Sequence, residues 1–135
     1  MKLTNNTKRA KGMTLLELTV VILVLLSLIS ILFIGARAWK KGSDRAGCIM
    51  NIRNAQQAVR SYANMYNIPN GTNTQVPAGE LVGAGKFLET APVCPAGGSY
   101  TDLTGAITPP AVGTLAMTCS LATSENHVPD DLQGW

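Results

Sequence analysis

The chain has 135 residues, 46% hydrophobic and 14% charged, which allows one modest domain plus an appendage and excludes a highly charged solvating tail. Its formal net charge is +3, but four of the 11 basic residues, Lys2, Lys8, Arg9 and Lys11, fall in the first twelve positions, leaving seven basic against eight acidic residues from Met13 onward. The basic balance therefore belongs to the leader, and the scattered bases that follow, with few aromatics, give no nucleic-acid-binding stripe.

Residues 1–12 form a polar, basic leader. Positions 13–36 then carry a single charge, Glu17. At about 1.5 Å per residue such a segment makes a helix of roughly 36 Å, enough to cross a hydrocarbon core of about 30 Å. The positive cluster before it is expected to keep the N-terminus cytoplasmic and to place everything after Arg37 on the other side.

Residues 37–67 read as a continuation of the same helix in a different solvent. Cys48, Ile52, Ala55, Val59, Tyr62 and Tyr66 recur at helical spacing, whereas Arg53, Asn54, Gln57, Arg60, Ser61 and Asn64 occupy other faces, so the segment is amphipathic with one apolar stripe. Pro69-Asn70-Gly71 ends it with turn chemistry. Gly35, Gly42 and Gly47 separate the halves, and each costs about 1 kcal/mol relative to alanine in a helix interior, so a bend or local melting is expected there.

Residues 68–135 are rich in Gly, Pro and Thr. Leu115, Met117, Cys119 and Leu121 alternate with Thr114, Ala116, Thr118 and Ser120, the period of a half-buried strand, and a second strand is expected around Ser99–Leu103. So few residues of this composition make a thin core that needs the helix stripe as a partner and a covalent or metal staple. The expected fold is α+β: a lollipop with a long N-terminal helix packed on a small antiparallel β-sheet domain.

The segment Gly12-Met13-Thr14-Leu15-Leu16-Glu17-Leu18 follows Lys8-Arg9-Ala10-Lys11 and opens the apolar run. It resembles the processing site of the type IV pilin and type II secretion pseudopilin superfamily, in which a glycine is followed by Phe or Met and then by Thr-Leu-Ile-Glu-Leu or a close variant. The resemblance implies that a membrane aspartic peptidase, the prepilin peptidase, cuts between Gly12 and Met13 and methylates the new N-terminus on Met13. It also implies a non-enzymatic structural subunit that begins in the bacterial inner membrane, single-pass, and is passed by a membrane assembly platform into an extracytoplasmic filament with copies of itself and minor pilins.

Glu17 supports the same reading on physical grounds. A carboxylate in an apolar span costs up to about 3 kcal/mol at mid-membrane and is normally explained by a partner. The ammonium of Met13 on an entering subunit is such a partner for Glu17 of its neighbour. A competing signal is Ala36-Arg37-Ala38, whose small-x-small form would release a soluble protein beginning at Trp39. Leu18–Ile34 is longer than the usual 7–15-residue signal core, and that cut would leave Glu17 without a purpose.

Further on, Cys48-Ile49-Met50-Asn51-Ile52-Arg53 with Ala55 and Ala58, then Pro92-Val93-Cys94-Pro95-Ala96-Gly97-Gly98-Ser99-Tyr100, then Cys119 and His127, resemble a subgroup of short pseudopilin-like proteins with a CPxGGxY segment. The Trp-Gly-rich, aspartate-bearing calcium loop of typical major secretion pseudopilins is missing. Three cysteines in an exported chain point to an oxidising compartment. A Cys94–Cys119 disulfide, worth roughly 3 kcal/mol of unfolded-chain entropy, is the favoured reading, with Cys48 a buried thiol facing the sheet.

The alternatives are other pairings, including Cys48 with either partner, and a closed zinc site of Cys48, Cys94, Cys119 and His127, which accounts for both the odd cysteine and the lone histidine. Otherwise His127 is a surface loop residue. Asp130 and Asp131, with Asp102 or Glu125, are a calcium candidate against the simpler reading of a solvated acidic tail. Tyr62, Tyr66 and Trp135 are expected to pack. The rival to a filament subunit is a membrane-anchored or secreted metal-binding domain that never polymerises.

Overall fold

The computed structural model describes Gly12, residues 14–101 and residues 103–135. Residues 1–11, Met13 and Asp102 lie outside the described residues, and with them most of the expected leader, the expected methylation at Met13 and the calcium role considered for Asp102. One regular element is present among the described residues, helix α1, Leu15–Met65. The chain divides into two compact units, the first ending at Ala38 and the second running Trp39–Trp135.

In the first unit, α1 starts where Thr14 and Glu17 cap each other. Thr14 N–H donates to Glu17 Oε2 at 3.1 Å, and Glu17 N–H donates to Thr14 Oγ1 at 3.3 Å. This reciprocal capping box satisfies two amide donors that a helix start leaves unpaired. Every side chain from Leu15 to Ala38 is exposed. The most apolar 18-residue window of α1 has a mean hydropathy of 3.0, long and apolar enough to cross a membrane. Its few hydroxyls bond to the helix's own carbonyls: Thr19 to Leu16, Ser27 to Val24 and Ser30 to Leu26, at 2.7–2.9 Å. No hydroxyl proton there has to seek water, as a hydrocarbon-facing helix requires.

Helical hydrogen bonding runs unbroken through Gly35, Gly42 and Gly47, so the melting expected at the glycines does not occur. Gly47 has a packing reason to be glycine. A Cβ there would stand 3.0 Å from Pro95 Cγ, so its absence lets the segment around Cys94 lie against α1.

In the second unit the predicted stripe is buried at Cys48, Ile52, Ala55, Val59 and Tyr62, while Tyr66 is exposed and stacks on Tyr62 with centroids 4.4 Å apart. Burial of Tyr62 pushes its hydroxyl pKa up. Two small cores form. One gathers Cys48, Ile52, Ala55, Cys94, Leu103, Met117, Cys119 and Trp135, and the other gathers Ala58, Val59, Tyr62, Val76 and Leu81. Trp135 packs as expected, with the Arg53 guanidinium 5.3 Å from its ring centroid.

The helix ends in a Schellman arrangement. Ile68 N–H reaches Ala63 C=O at 2.8 Å, and Asn67 takes the left-handed conformation at φ 52°. Asn67→Gly is expected to raise stability by up to about 1 kcal/mol, because glycine meets no Cβ penalty at positive φ. Chemical denaturation of the full chain in detergent checks this.

The antiparallel sheet expected after residue 68 is reduced, among the described residues, to isolated bridges at Val76–Ile107, Val82–Leu88 and Tyr100–Cys119. The two segments proposed as strands do meet, with Ser120 N–H on Ser99 C=O and Thr101 N–H on Thr118 C=O. The ladder stops there because Thr118 N–H donates to the Thr101 hydroxyl at 3.0 Å instead of to a carbonyl. The alternation holds at its centre, where Met117 and Cys119 are buried and Thr118 and Ser120 exposed, while Leu115, Ala116 and Leu121 are all half-buried. The buried Gln56 supplies the pairing that a neighbouring strand would have given. Its Nε2 donates to Thr114 C=O at 3.0 Å, and its Oε1 accepts from Ala116 N–H at 2.7 Å.

Candidate functional site

Two groups of predicted residues carry chemistry, one in each unit. In the first, Gly12 is exposed and Glu17 is held by Thr14, as described above. The capping box points one carboxylate oxygen back along the chain toward the helix start.

In the second unit, Cys48, Cys94, Cys119 and His127 converge. All four are buried, none more than 5% exposed, and their ligand atoms all lie within 4.8 Å of one another. Each arrives from a different piece of chain. Cys48 lies on the buried stripe of α1. Cys94 opens a tight turn in which Gly97 N–H donates to Cys94 C=O at 3.0 Å and Gly97 adopts φ 81°. Cys119 is brought over by its bridge with Tyr100.

From Cys119 the chain coils back through Ala122 N–H to Cys119 C=O and His127 N–H to Leu121 C=O. Arg45 fixes that coil from α1, with Nε donating to Asn126 C=O at 2.8 Å and its terminal nitrogen pairing with Asp130. Asn126 sits at φ 56°, which turns the following His127 inward.

His127 is therefore a core residue at 1% exposure, not the surface loop residue that was the simpler expectation. Its Nδ1 is 3.6 Å from Cys94 Sγ, and its Nε2 lies 4.0 Å from Glu125 Oε2. Cys94 and Cys119, the favoured disulfide pair, have unlinked sulfurs in this structure. The three thiols are free, and the Cys94 and Cys119 sulfurs stand 3.9 Å apart, against about 2.05 Å for a bond. Among the described residues, the acidic side chains considered for calcium do not gather. Asp130 pairs with Arg45, Asp131 accepts Gln133 N–H, and Glu125 faces His127.

The surroundings treat the sulfurs unequally. Burial pushes the Cys48 thiol up to about 12, even though the Tyr100 hydroxyl hydrogen-bonds it. Burial also acts to raise Cys94, but backbone N–H groups of Ala96 and Gly98, with help from the other two thiols, outweigh it and hold Cys94 below its usual value. Tyr100 is raised by burial and by its bond to Cys48, and Asn51 Nδ2 holds its oxygen at 3.2 Å while also donating to Val93 C=O.

Gly98 makes the approach of Cys119 possible. A Cβ there would stand 2.9 Å from Leu121 Cγ and 3.0 Å from Cys119 Sγ. Gly98→Ala is expected to cost about 1–3 kcal/mol through overpacking. Gly105→Ala, with nothing within 4 Å of the added atom, is the near-neutral control in the same denaturation experiment.

Sequence reasoning singled out every ligand-type residue of this cluster but missed Asn51 and Gln56 as positioning residues. The signal for Gln56 was present, since it stands four residues after Ile52 and three before Val59, inside the apolar stripe. Comparison with known proteins adds no second line of support: no protein family, no curated protein and no solved structure matches this chain.

Proposed function

We propose that this chain is a filament subunit of the type IV pilin or type II secretion pseudopilin kind. It is cut between Gly12 and Met13 by prepilin peptidase, methylated on Met13, and polymerised through α1. The reading is supported above all by one observation: the first half of α1, Leu15–Ala38, is apolar and exposed throughout, and its first turn carries Glu17, five residues after a glycine that follows a basic segment. An apolar surface from Leu15 to Ile34 needs a cover, and lipid or identical helices of neighbouring copies cover it equally well. Moving α1 from bilayer to fibre then changes hydrophobic burial little, which makes extraction by an assembly platform feasible.

In the fibre, the Met13 ammonium of one copy pairs with Glu17 of the next, where little water competes. The copies start in the bacterial inner membrane with the leader in the cytoplasm, and minor pilins join the same polymer. The small second unit is carried to the outer side of the membrane.

Intact-mass measurement on the mature chain tests this reading. The expected result is loss of residues 1–12 with addition of one methyl group, in a sample that contains filaments. A chain that keeps its leader, or that begins at Trp39, overturns it. The cysteine–histidine cluster keeps a second reading in view, a membrane-anchored or secreted metal-binding domain that does not polymerise; a monomer that keeps its leader and binds metal is its signature.

A further inference from the structure

We propose that Cys48, Cys94, Cys119 and His127 bind one zinc ion in a closed, structural tetrahedral site that staples the second unit to its own helix. The claim is independent of whether the chain polymerises. Zinc takes thiolate at about 2.3 Å and imidazole at about 2.0–2.1 Å, so a tetrahedron has S···S edges of ~3.8 Å and S···N edges of ~3.6 Å. The Cys94–Cys119 sulfur separation is 3.9 Å and the Cys94 Sγ to His127 Nδ1 separation is 3.6 Å. Two edges of the coordination polyhedron are thus already at their required lengths, and the remaining donors stand within 4.8 Å of one another.

The outer contacts are those a metal-bound set needs. Ligating histidines usually present their other nitrogen to a carboxylate, a carbonyl or water, and His127 turns Nδ1 to Cys94 Sγ while its Nε2 lies 4.0 Å from Glu125 Oε2, beyond direct hydrogen-bond length. Thiolates need donors. Backbone N–H groups of Ala96 and Gly98 serve Cys94, and the Tyr100 hydroxyl, steadied by Asn51, serves Cys48. On binding, the ion displaces three thiol protons to solvent, and His127 ligates as the neutral imidazole.

All four ligands come from the protein and are buried, which leaves no open position for a substrate and makes the site structural. It ties α1, the 92–100 turn, the bridge segment and the 121–127 coil together in a unit that has almost no sheet to do so. A Cys94–Cys119 disulfide and this site are mutually exclusive uses of the same sulfurs.

The test is metal analysis of the mature full-length chain in detergent, purified without chelator, alongside its intact mass. One zinc per chain with three reduced cysteines is expected. After replacement by cobalt, the spectrum should show tetrahedral d–d bands and thiolate charge transfer, a readout that needs no variant. Tyr100→Phe keeps the ring and removes the hydroxyl, and is expected to weaken zinc binding about 10-fold. His127→Cys retains four ligands and should keep the metal with an altered cobalt spectrum.

A metal-free chain two hydrogens lighter than its thiol form overturns the proposal. So does cobalt bound without thiolate charge transfer, or zinc content unchanged in Cys48→Ser.

Discussion

Glu17→Gln is expected to abolish filaments while leaving the start of α1 intact. The pair of roles played by this one side chain makes the substitution informative. Glutamine keeps an acceptor for Thr14 N–H, now seen at 3.1 Å from Glu17 Oε2, and glutamine is as acceptable as glutamate at this position of a capping box. What it removes is the charge. In the proposed fibre the Met13 ammonium of the neighbouring copy would then be buried without a counter-ion, a loss of about 3–5 kcal/mol per interface.

At 1.4 kcal/mol per factor of ten, that is a fall of more than about a hundredfold in the association constant. Sheared-filament yield measures it, and processing between Gly12 and Met13, followed by mass, serves as the control. Glu17→Ala removes both roles. If glutamine polymerises normally and alanine does not, Glu17 acts only as a cap, and the charge-pairing mechanism is wrong.

The second large effect is expected at Gln56, inside the other unit. Its amide exchanges two hydrogen bonds, at 3.0 and 2.7 Å, with the backbone of Thr114 and Ala116, and the residue is 3% exposed. Gln56→Ala orphans a carbonyl and an amide and opens a cavity beside them. At about 1–3 kcal/mol for each unsatisfied group, the loss is a large share of what a head of this size has to spare.

Gln56→Glu is expected to be worse near neutral pH, because a carboxylate oxygen would face the Thr114 carbonyl. The protonated acid can donate to that carbonyl, so the variant binds more protons folded than unfolded. Its stability should therefore recover in part as pH falls into the carboxyl range. Denaturant unfolding of the full chain in detergent at several pH values measures both effects. Equal stability of wild type and Gln56→Ala would show that the side chain is not the missing strand partner.

Both predictions act through hydrogen bonds that were unequally visible in the sequence. Thr14 and Glu17 are three residues apart, and a local bond of that kind can be read from spacing alone. Gln56 and Thr114 are 58 positions apart, and no periodicity connects them. The same contrast runs through the cysteine–histidine cluster. Residue type nominated Cys48, Cys94, Cys119 and His127 together, yet the choice between a pair of cysteines and a set of four donors depended on distances. Spacing favoured the disulfide, and only the fold sets His127, at 1% exposure, beside the three thiols.

By itself the sequence determined the long helix, its apolar half, its end near Pro69 and its buried stripe, read from Cys48 to Tyr66 and buried as far as Tyr62. These follow from local periodicity, from the propensities of consecutive residues and from where water must be excluded, all of which act within a few turns of chain. The tertiary structure decided the rest. It carried the helix through three glycines, one of which makes room for Pro95. It replaced a sheet by isolated bridges and a glutamine clamp, and it drew four distant side chains to one point. Those outcomes turn on which groups find room and partners once the chain has closed on itself, a balance of packing and hydrogen bonding between residues far apart in sequence that no local pattern encodes.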